Sequence, residues 1–236
     1  MFTIKSKSAA AALVGCAIAC LIAYPIRADE KEEGTVLRGW GRAIDPDHDC
    51  DIALKEGSLE FKIPGKSHDY AADIQIQNSP RVLREIKGDF IAEVKVCGEF
   101  KPGETSTIPG RLSYHGAGLL LIKDKDNYFS LHRGCVFIDQ RQRHYANFEL
   151  RKDGGMAFSK YEIEIPDQDT YLRLERRGNW VFNATSPDGI HWTSYEPAEL
   201  DLPETVQLGL VGVTSSDVPL SIRFRDLNVF RKVELE

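Results

Sequence analysis

Apolar and polar residues alternate along most of this chain. In SLEFKIPG (58–65), Leu59, Phe61 and Ile63 share one parity, and Ser58, Glu60 and Lys62 take the other. GDFIAEVKVCG (88–98) sets Phe90, Ala92, Val94 and Val96 against Glu93, Lys95 and Cys97, and the same period runs through 161–167, 171–179, 205–213 and 219–230. A period of two belongs to an antiparallel strand with one wet face and one buried face. Turn signals separate the runs: Pro64-Gly65, Pro102-Gly103, Pro109-Gly110, Asp153-Gly154-Gly155 and Pro187-Asp188-Gly189. This spacing predicts about ten to thirteen strands in a sandwich. AGLLLI (117–122) is apolar on both parities, as suits a central strand covered on both sides. NSPRVLREIKG (78–88) offers at most one helical turn, through Val82 and Ile86. In SPDGIHW (186–192), Pro187 pre-sets φ, Asp188 can bond its own backbone and Gly189 tolerates positive φ, so a hairpin is expected between 180–185 and 190–195.

The first 28 residues change the picture. Lys5 and Lys7 precede an apolar run from Ala9 to Ile26, and Ile26-Arg27-Ala28 has the residue sizes of a signal cleavage site. Leu13-Val14-Gly15-Cys16 also reads as a lipobox, and the run is nearly long enough for an uncleaved anchor. Each version exports the chain to the periplasm, cell surface or exterior. Residues 29–36 then form a charged lead-in, and 37–234 a single domain. Cleavage after Ala28 leaves 27 basic against 36 acidic residues, a net charge of −9. Such a chain is a poor partner for nucleic acid or an anionic membrane surface, and no membrane insertion is expected after cleavage. Cys50, Cys97 and Cys135 remain, so at most one disulfide can form, in any of three pairings.

WGRAIDPDHDC (40–50), GDFIAEVKV (88–96), GAGLLLIKDKDNYFSL (116–131), YLRLERRG (171–178), the 186–192 turn and FRDLNVF (224–230) together resemble a bacterial family of domains of unknown function. A yeast protein implicated in enolase regulation is related to that family, and the sandwich appended to family-43 glycosidases is similar to it. The resemblance runs from about Trp40 to Lys232. It implies an all-β fold, the concanavalin-A-like jelly-roll sandwich of two curved antiparallel sheets with a concave face. It brings no catalytic residues, so function must be argued from sites.

Catalytic signatures are lacking. A retaining glycosidase needs two carboxyls about 5–5.5 Å apart, and the nearest strand-borne pair is Glu162 and Glu164, an exposed acidic face cut short by Pro166. No catalytic residue is assigned. Binding fits better, since sugar sites combine aromatic rings with a few fixed polar groups. In DNYFSLHRG (126–134), Tyr128, Ser130 and His132 share a strand face, and Trp180 heads another strand; these four are the candidate ligand-binding residues for a polysaccharide or glycan. Trp40 and Trp192 are expected to pack in the core. The acidic stretch DPDHDCD places Asp45, Asp47, Asp49 and Asp51 at every second position. Two readings stand for it: a Ca²⁺ loop in a β context, where hard oxygens gather round the ion, or a solvated turn begun by Asp45-Pro46. No other cofactor is implied, and oligomeric state is not encoded legibly.

Overall fold

The computed structural model describes residues 34–231, so the signal-sequence reading lies outside the described residues. The described chain folds as 18 strands in order. They are β1 (Val36–Leu37), β2 (Gly41–Ile44), β3 (Asp51–Lys55), β4 (Ser58–Ile63), β5 (Tyr70–Ala71), β6 (Ile76–Gln77), β7 (Arg81–Lys87), β8 (Phe90–Cys97) and β9 (Ser113–Asp124). There follow β10 (Asn127–Ile138), β11 (Arg141–Lys152), β12 (Gly155–Glu164), β13 (Thr170–Arg177), β14 (Trp180–Ser186), β15 (Thr193–Ser194), β16 (Ala198–Glu199), β17 (Thr205–Thr214) and β18 (Leu220–Arg231). The excess over the expected number comes from two-residue strands, which carry no readable period. Pairing begins at Val36, inside the stretch read as lead-in.

Two antiparallel sheets make the sandwich. The first runs β1-β2-β7-β17-β9-β10-β11-β12, and the second β15-β14-β13-β8-β18-β4-β3 with β16 also on β14. Their facing sides hold one core: Leu119, Leu121, Phe129, Leu131 and Phe148 from the first sheet against Phe61, Val94, Leu174, Ile222 and Phe224 from the second, all fully or almost fully buried. Each such side chain contributes about 1.5–3 kcal/mol by leaving water. The alternation written in the sequence is this inward-facing parity, and the architecture is the concanavalin-A-like sandwich.

The 78–88 stretch is a strand, not a helical turn. Val82 and Ile86 lie four apart, a spacing that satisfies both periods, and pairing of β7 with β2 and β17 decides between them. The doubly apolar 117–122 run is the middle of β9, between β10 and β17. Leu119 and Leu121 face the core, whereas Leu120 and Ile122 join a second cluster with Tyr70, Tyr128, Val211 and Val213 on the outer side of the first sheet. The segment carrying β5 and β6 covers that side. Tyr128 fastens it, donating through its hydroxyl to the Tyr70 carbonyl at 2.8 Å and accepting from the Ala72 amide at 3.1 Å.

The 186–192 turn forms as its residues dictate. Asp188 Oδ1 accepts from the amides of Ile190 and His191, both at 2.8 Å, and Ser186 Oγ accepts from the Gly189 amide at 2.8 Å. Hydrogen bonds from the His191 ring and backbone hold the Asp188 carboxyl well below the usual range. Cys50, Cys97 and Cys135 are all unpaired thiols. No helix among the described residues is long and apolar enough to cross a membrane.

A candidate ligand cleft and a polar loop beside it

The outer face of the first sheet is built from rows of residues set by register. One row reads Val213, Gly116, Gly134, Tyr145 across β17, β9, β10 and β11, and the next reads Val211, Gly118, His132, Asn147. Where β9 and β10 carry glycine, the floor drops. A methyl placed on Gly134 would lie 2.8 Å from Tyr145 Cζ, so the Tyr145 ring lies over backbone that has no side chain. The result is a cleft of about 510 Å³, with Asp69, Tyr114, His132, Tyr145, Asn147 and Arg151 among its lining. That volume is within the range of small-molecule sites, about 300–1,000 Å³.

Its polar groups are mutually fixed. Glu149 accepts from Asn147 Nδ2 at 2.9 Å and from Arg151 Nη2 at 3.1 Å. Arg151 also meets Asp73 at 3.4 Å, and Arg111 reaches the same carboxylate at 3.0 Å. Asp69 is buried in the wall, with Oδ1 taken by the Tyr70 amide at 2.8 Å and Oδ2 by the Tyr114 hydroxyl. Burial pushes the Asp69 carboxyl up to about 6, against the pull of the Tyr114 hydrogen bond. Burial, helped by the charge of Arg151, lowers His132 to about 4, so the ring is neutral near pH 7. His132 Nε2, Asn147 Oδ1, Arg151 Nε and Ser159 Oγ have no hydrogen-bond partner among the described residues. Such atoms cost free energy unless something meets them.

The residues expected to bind ligand are dispersed. His132 lines the cleft. Tyr128 and Ser130 share its face but are buried beyond the cleft floor, Tyr128 beneath the β5–β6 segment. Trp180 is 44% exposed in the other sheet, opposite Arg177 and Glu199. Trp40 packs against the core, and Trp192 stacks on the Arg173 guanidinium at 3.9 Å. Glu164 is exposed on β12 opposite Tyr145. Unforeseen are Tyr145, Asn147, Glu149 and Arg151, although HYANFELR (144–151) alternates them with Ala146, Phe148 and Leu150. The signal was present, but only the pairing of β11 with β10 places them beside His132.

In the acidic stretch the four carboxylates do not converge. Asp45 Oδ2 accepts from the Cys50 amide at 2.8 Å, closing the turn. Asp47 accepts from Asn78 Nδ2 at 2.8 Å, and Lys66 ion-pairs with both Asp47 and Asp49. Asp51 lies on β3 and meets Lys62 of β4 at 3.4 Å. Among the described residues, the potential metal ligands that approach one another are instead Asp49, Cys50 and His68.

Comparison with known proteins bears on the fold. No protein-family model matches the chain, and no curated protein matches its sequence. A functionally unknown protein from Saccharomyces cerevisiae superposes with a TM-score of 0.63 at 14% identity, over 78% of this chain and 93% of that one. The GH43 protein BlXynB from Bacillus licheniformis gives 0.59 at 17% identity, over 86% of this chain and 40% of that one. An alginate lyase from Klebsiella pneumoniae gives 0.51 at 10% identity, over 77% and 84%. The chain is thus similar in fold to one whole small protein and to about two fifths of a much longer GH43 protein.

Proposed function

We propose that this is an exported domain that binds carbohydrate in the Tyr145–Asn147–His132 cleft without cleaving it. The observation that carries this reading is the coincidence of tyrosine rings with partnerless polar atoms round one cavity. Tyr114 and Tyr145 offer rings for pyranose contact, and His132 Nε2, Asn147 Oδ1 and Ser159 Oγ offer hydrogen bonds to hydroxyls. The engagement of both cleft carboxylates supports the non-catalytic part. Asp69 is held by Tyr70 and Tyr114, and Glu149 by Asn147 and Arg151, so each is committed to the protein. Export rests on the signal-like features of residues 5–28.

A glycan array identifies the ligand, and calorimetry then compares wild type with Asn147→Ala and Trp180→Ala. Loss of a net hydrogen bond of about 1.4 kcal/mol predicts roughly tenfold weaker binding for Asn147→Ala, and unchanged binding for Trp180→Ala. The reverse pattern would move the site to the second sheet. Release of shorter sugars would overturn the non-catalytic reading. Capture of one protein in place of any glycan would make the domain an interaction module of the cell envelope.

A further inference from the structure

We propose that Asp49, Cys50 and His68 form a binding site for a divalent transition-metal ion of the zinc type, separate from the sugar cleft. The three residues come from two segments. Asp49 and Cys50 close the loop before β3, where the Asp45 carboxylate anchors the Cys50 amide. His68 follows β4, and its backbone is clamped to β17 by the Thr214 pair, His68 N to Thr214 O at 2.9 Å and Thr214 N to His68 O at 2.7 Å. Both segments are therefore held by bonds that do not involve the three ligand atoms.

The spacing of those atoms fits one ion. His68 Nε2 lies 3.4 Å from Asp49 Oδ1 and 3.9 Å from Cys50 Sγ, and Sγ lies 3.6 Å from Asp49 Oδ1. A tetrahedral zinc with bonds of about 2.3 Å to sulfur and about 2.0–2.2 Å to nitrogen and oxygen sets its ligands about 3.3–3.6 Å apart. The observed triangle is that tetrahedral face, opened slightly along its sulfur–nitrogen edge. Three protein ligands leave a fourth position, and Asp49 is the partly exposed member through which it meets solvent.

The surroundings suit a cation. The fully buried His68 ring sets Nδ1 at 3.4 Å from the Asn78 carbonyl oxygen, a long hydrogen bond when Nδ1 carries the proton. Nε2 then turns its lone pair on the Asp49 oxygen and the Cys50 sulfur. Carbonyl-bonded histidines of this kind are the usual metal ligands. In that tautomer the carboxylate oxygen and the imidazole lone pair, 3.4 Å apart, repel unless a proton or a cation lies between them. Asp45 Oδ1, on the side of the loop that anchors the Cys50 amide, is a buried acceptor with no hydrogen-bond partner among the described residues. A divalent ion bound by the three ligands displaces the thiol proton to solvent and adds positive charge to this cluster of acceptors. Lys66 does not compete directly, since it holds Asp49 by Oδ2 and leaves Oδ1 to the triangle. Calcium fits poorly, because it wants six to eight oxygens and sulfur and nitrogen select a softer ion.

Cobalt(II) titration of the chelator-treated chain tests the site. Tetrahedral d–d bands together with a thiolate-to-cobalt charge-transfer band, both erased by one equivalent of zinc, are expected. Cys50→Ser should abolish the charge-transfer band. Cys50→Ser and Asp49→Asn should each weaken binding by more than the roughly 10–100-fold typical of outer-shell changes, whereas Asp51→Asn should leave it unchanged. Circular dichroism of each variant separates a lost ligand from a lost fold. Cobalt binding without a thiolate band, or a Cys50→Ser protein that binds as wild type does, would overturn the proposal. Displacement of cobalt by millimolar calcium would overturn it in favour of an oxygen-rich site.

Discussion

Gly118 and Gly134 both lie on the cleft side of the first sheet, yet a methyl group at each meets a different kind of obstacle. On Gly118 it would lie 1.9 Å from the Leu131 carbonyl oxygen and 2.8 Å from His132 Cα. Those are backbone atoms of the adjacent strand, with no rotamer to change. Relief to an ordinary contact of 3.4 Å needs β9 and β10 to part by about 1.5 Å, which breaks several ladder bonds of about 1 kcal/mol each and loosens the core beneath. The cost is at least about 4 kcal/mol, a fall in Tm of about 8 °C or more at this chain length, since 1 kcal/mol shifts Tm by about 2–4 °C. On Gly134 the three nearest atoms all belong to the Tyr145 side chain, two of the ring and the hydroxyl, at 2.8–3.2 Å. That ring is half-buried and can tilt into the cleft, so the cost is about 1 kcal/mol and a few degrees. Thermal unfolding followed by circular dichroism reads both variants. The reasoning is refuted if Gly118→Ala melts within a few degrees of wild type, or if Gly134→Ala is the more damaging change. A bound glycan adds a second readout, because the tilted ring should cost Gly134→Ala affinity that its stability does not predict.

Tyr128→Phe removes the bond to the Tyr70 carbonyl and strands the Ala72 amide, so it should cost about 1–3 kcal/mol. Hydrogen exchange should show the loss concentrated at 70–77 and not in the core ladders. His132 is held down near 4 in the folded chain by burial, against about 6.5 unfolded. Between these values the unfolded chain binds more protons, so this group's contribution to stability is full above about pH 6.5 and declines as pH falls towards 4. His132→Gln should remove this acid-side loss, so that the variant loses less stability than wild type between about pH 6.5 and 4, and an unchanged difference would mean that the ring is not desolvated. Asp69 acts with the opposite sign in nearly the same window. Its folded value, raised to about 6 by burial, makes its contribution best below about pH 4 and poorest above 6, so Asp69→Asn should steepen the net loss in acid.

Much of the architecture was legible because burial and strand period speak through single residues. Leu59, Phe61 and Ile63 face inward as their parity requires, and the doubly apolar 117–122 run is a covered central strand. What was not legible depends on register and on distant partners. Tyr128, Ser130 and His132 do share a face, but a period of two cannot say which part of that face another segment will cover. Asn147 and Glu149 became site residues only through pairing of β11 with β10. The aspartates at every second position looked like a cage because their spacing is local, whereas Lys62, Lys66 and Asn78, which take up three of them, are remote in sequence or sit on other strands.

The segment from Lys66 to Asn78 explains why the two sites lie where they do. It must cross the outer face of the first sheet, and a chain crossing a sheet has backbone polar groups to satisfy. It meets that need with fixed partners: Thr214 for His68, Tyr128 for Tyr70 and Ala72, and the Asn78 side chain for the Asp69 amide and the Ser67 carbonyl. Consecutive residues then serve opposite ends, His68 turning to Cys50 and Asp49 while Asp69 enters the cleft wall beside Tyr114. If the proposed cation at Asp49, Cys50 and His68 adds to these clamps, its removal should loosen the cleft wall without touching a single cleft residue. Glycan affinity measured with and without chelator, in wild type and in Cys50→Ser, decides this. Coupling predicts that chelator weakens binding in the wild type and does nothing further in the variant. Equal affinities throughout would show that the clamp at Thr214 holds the segment unaided.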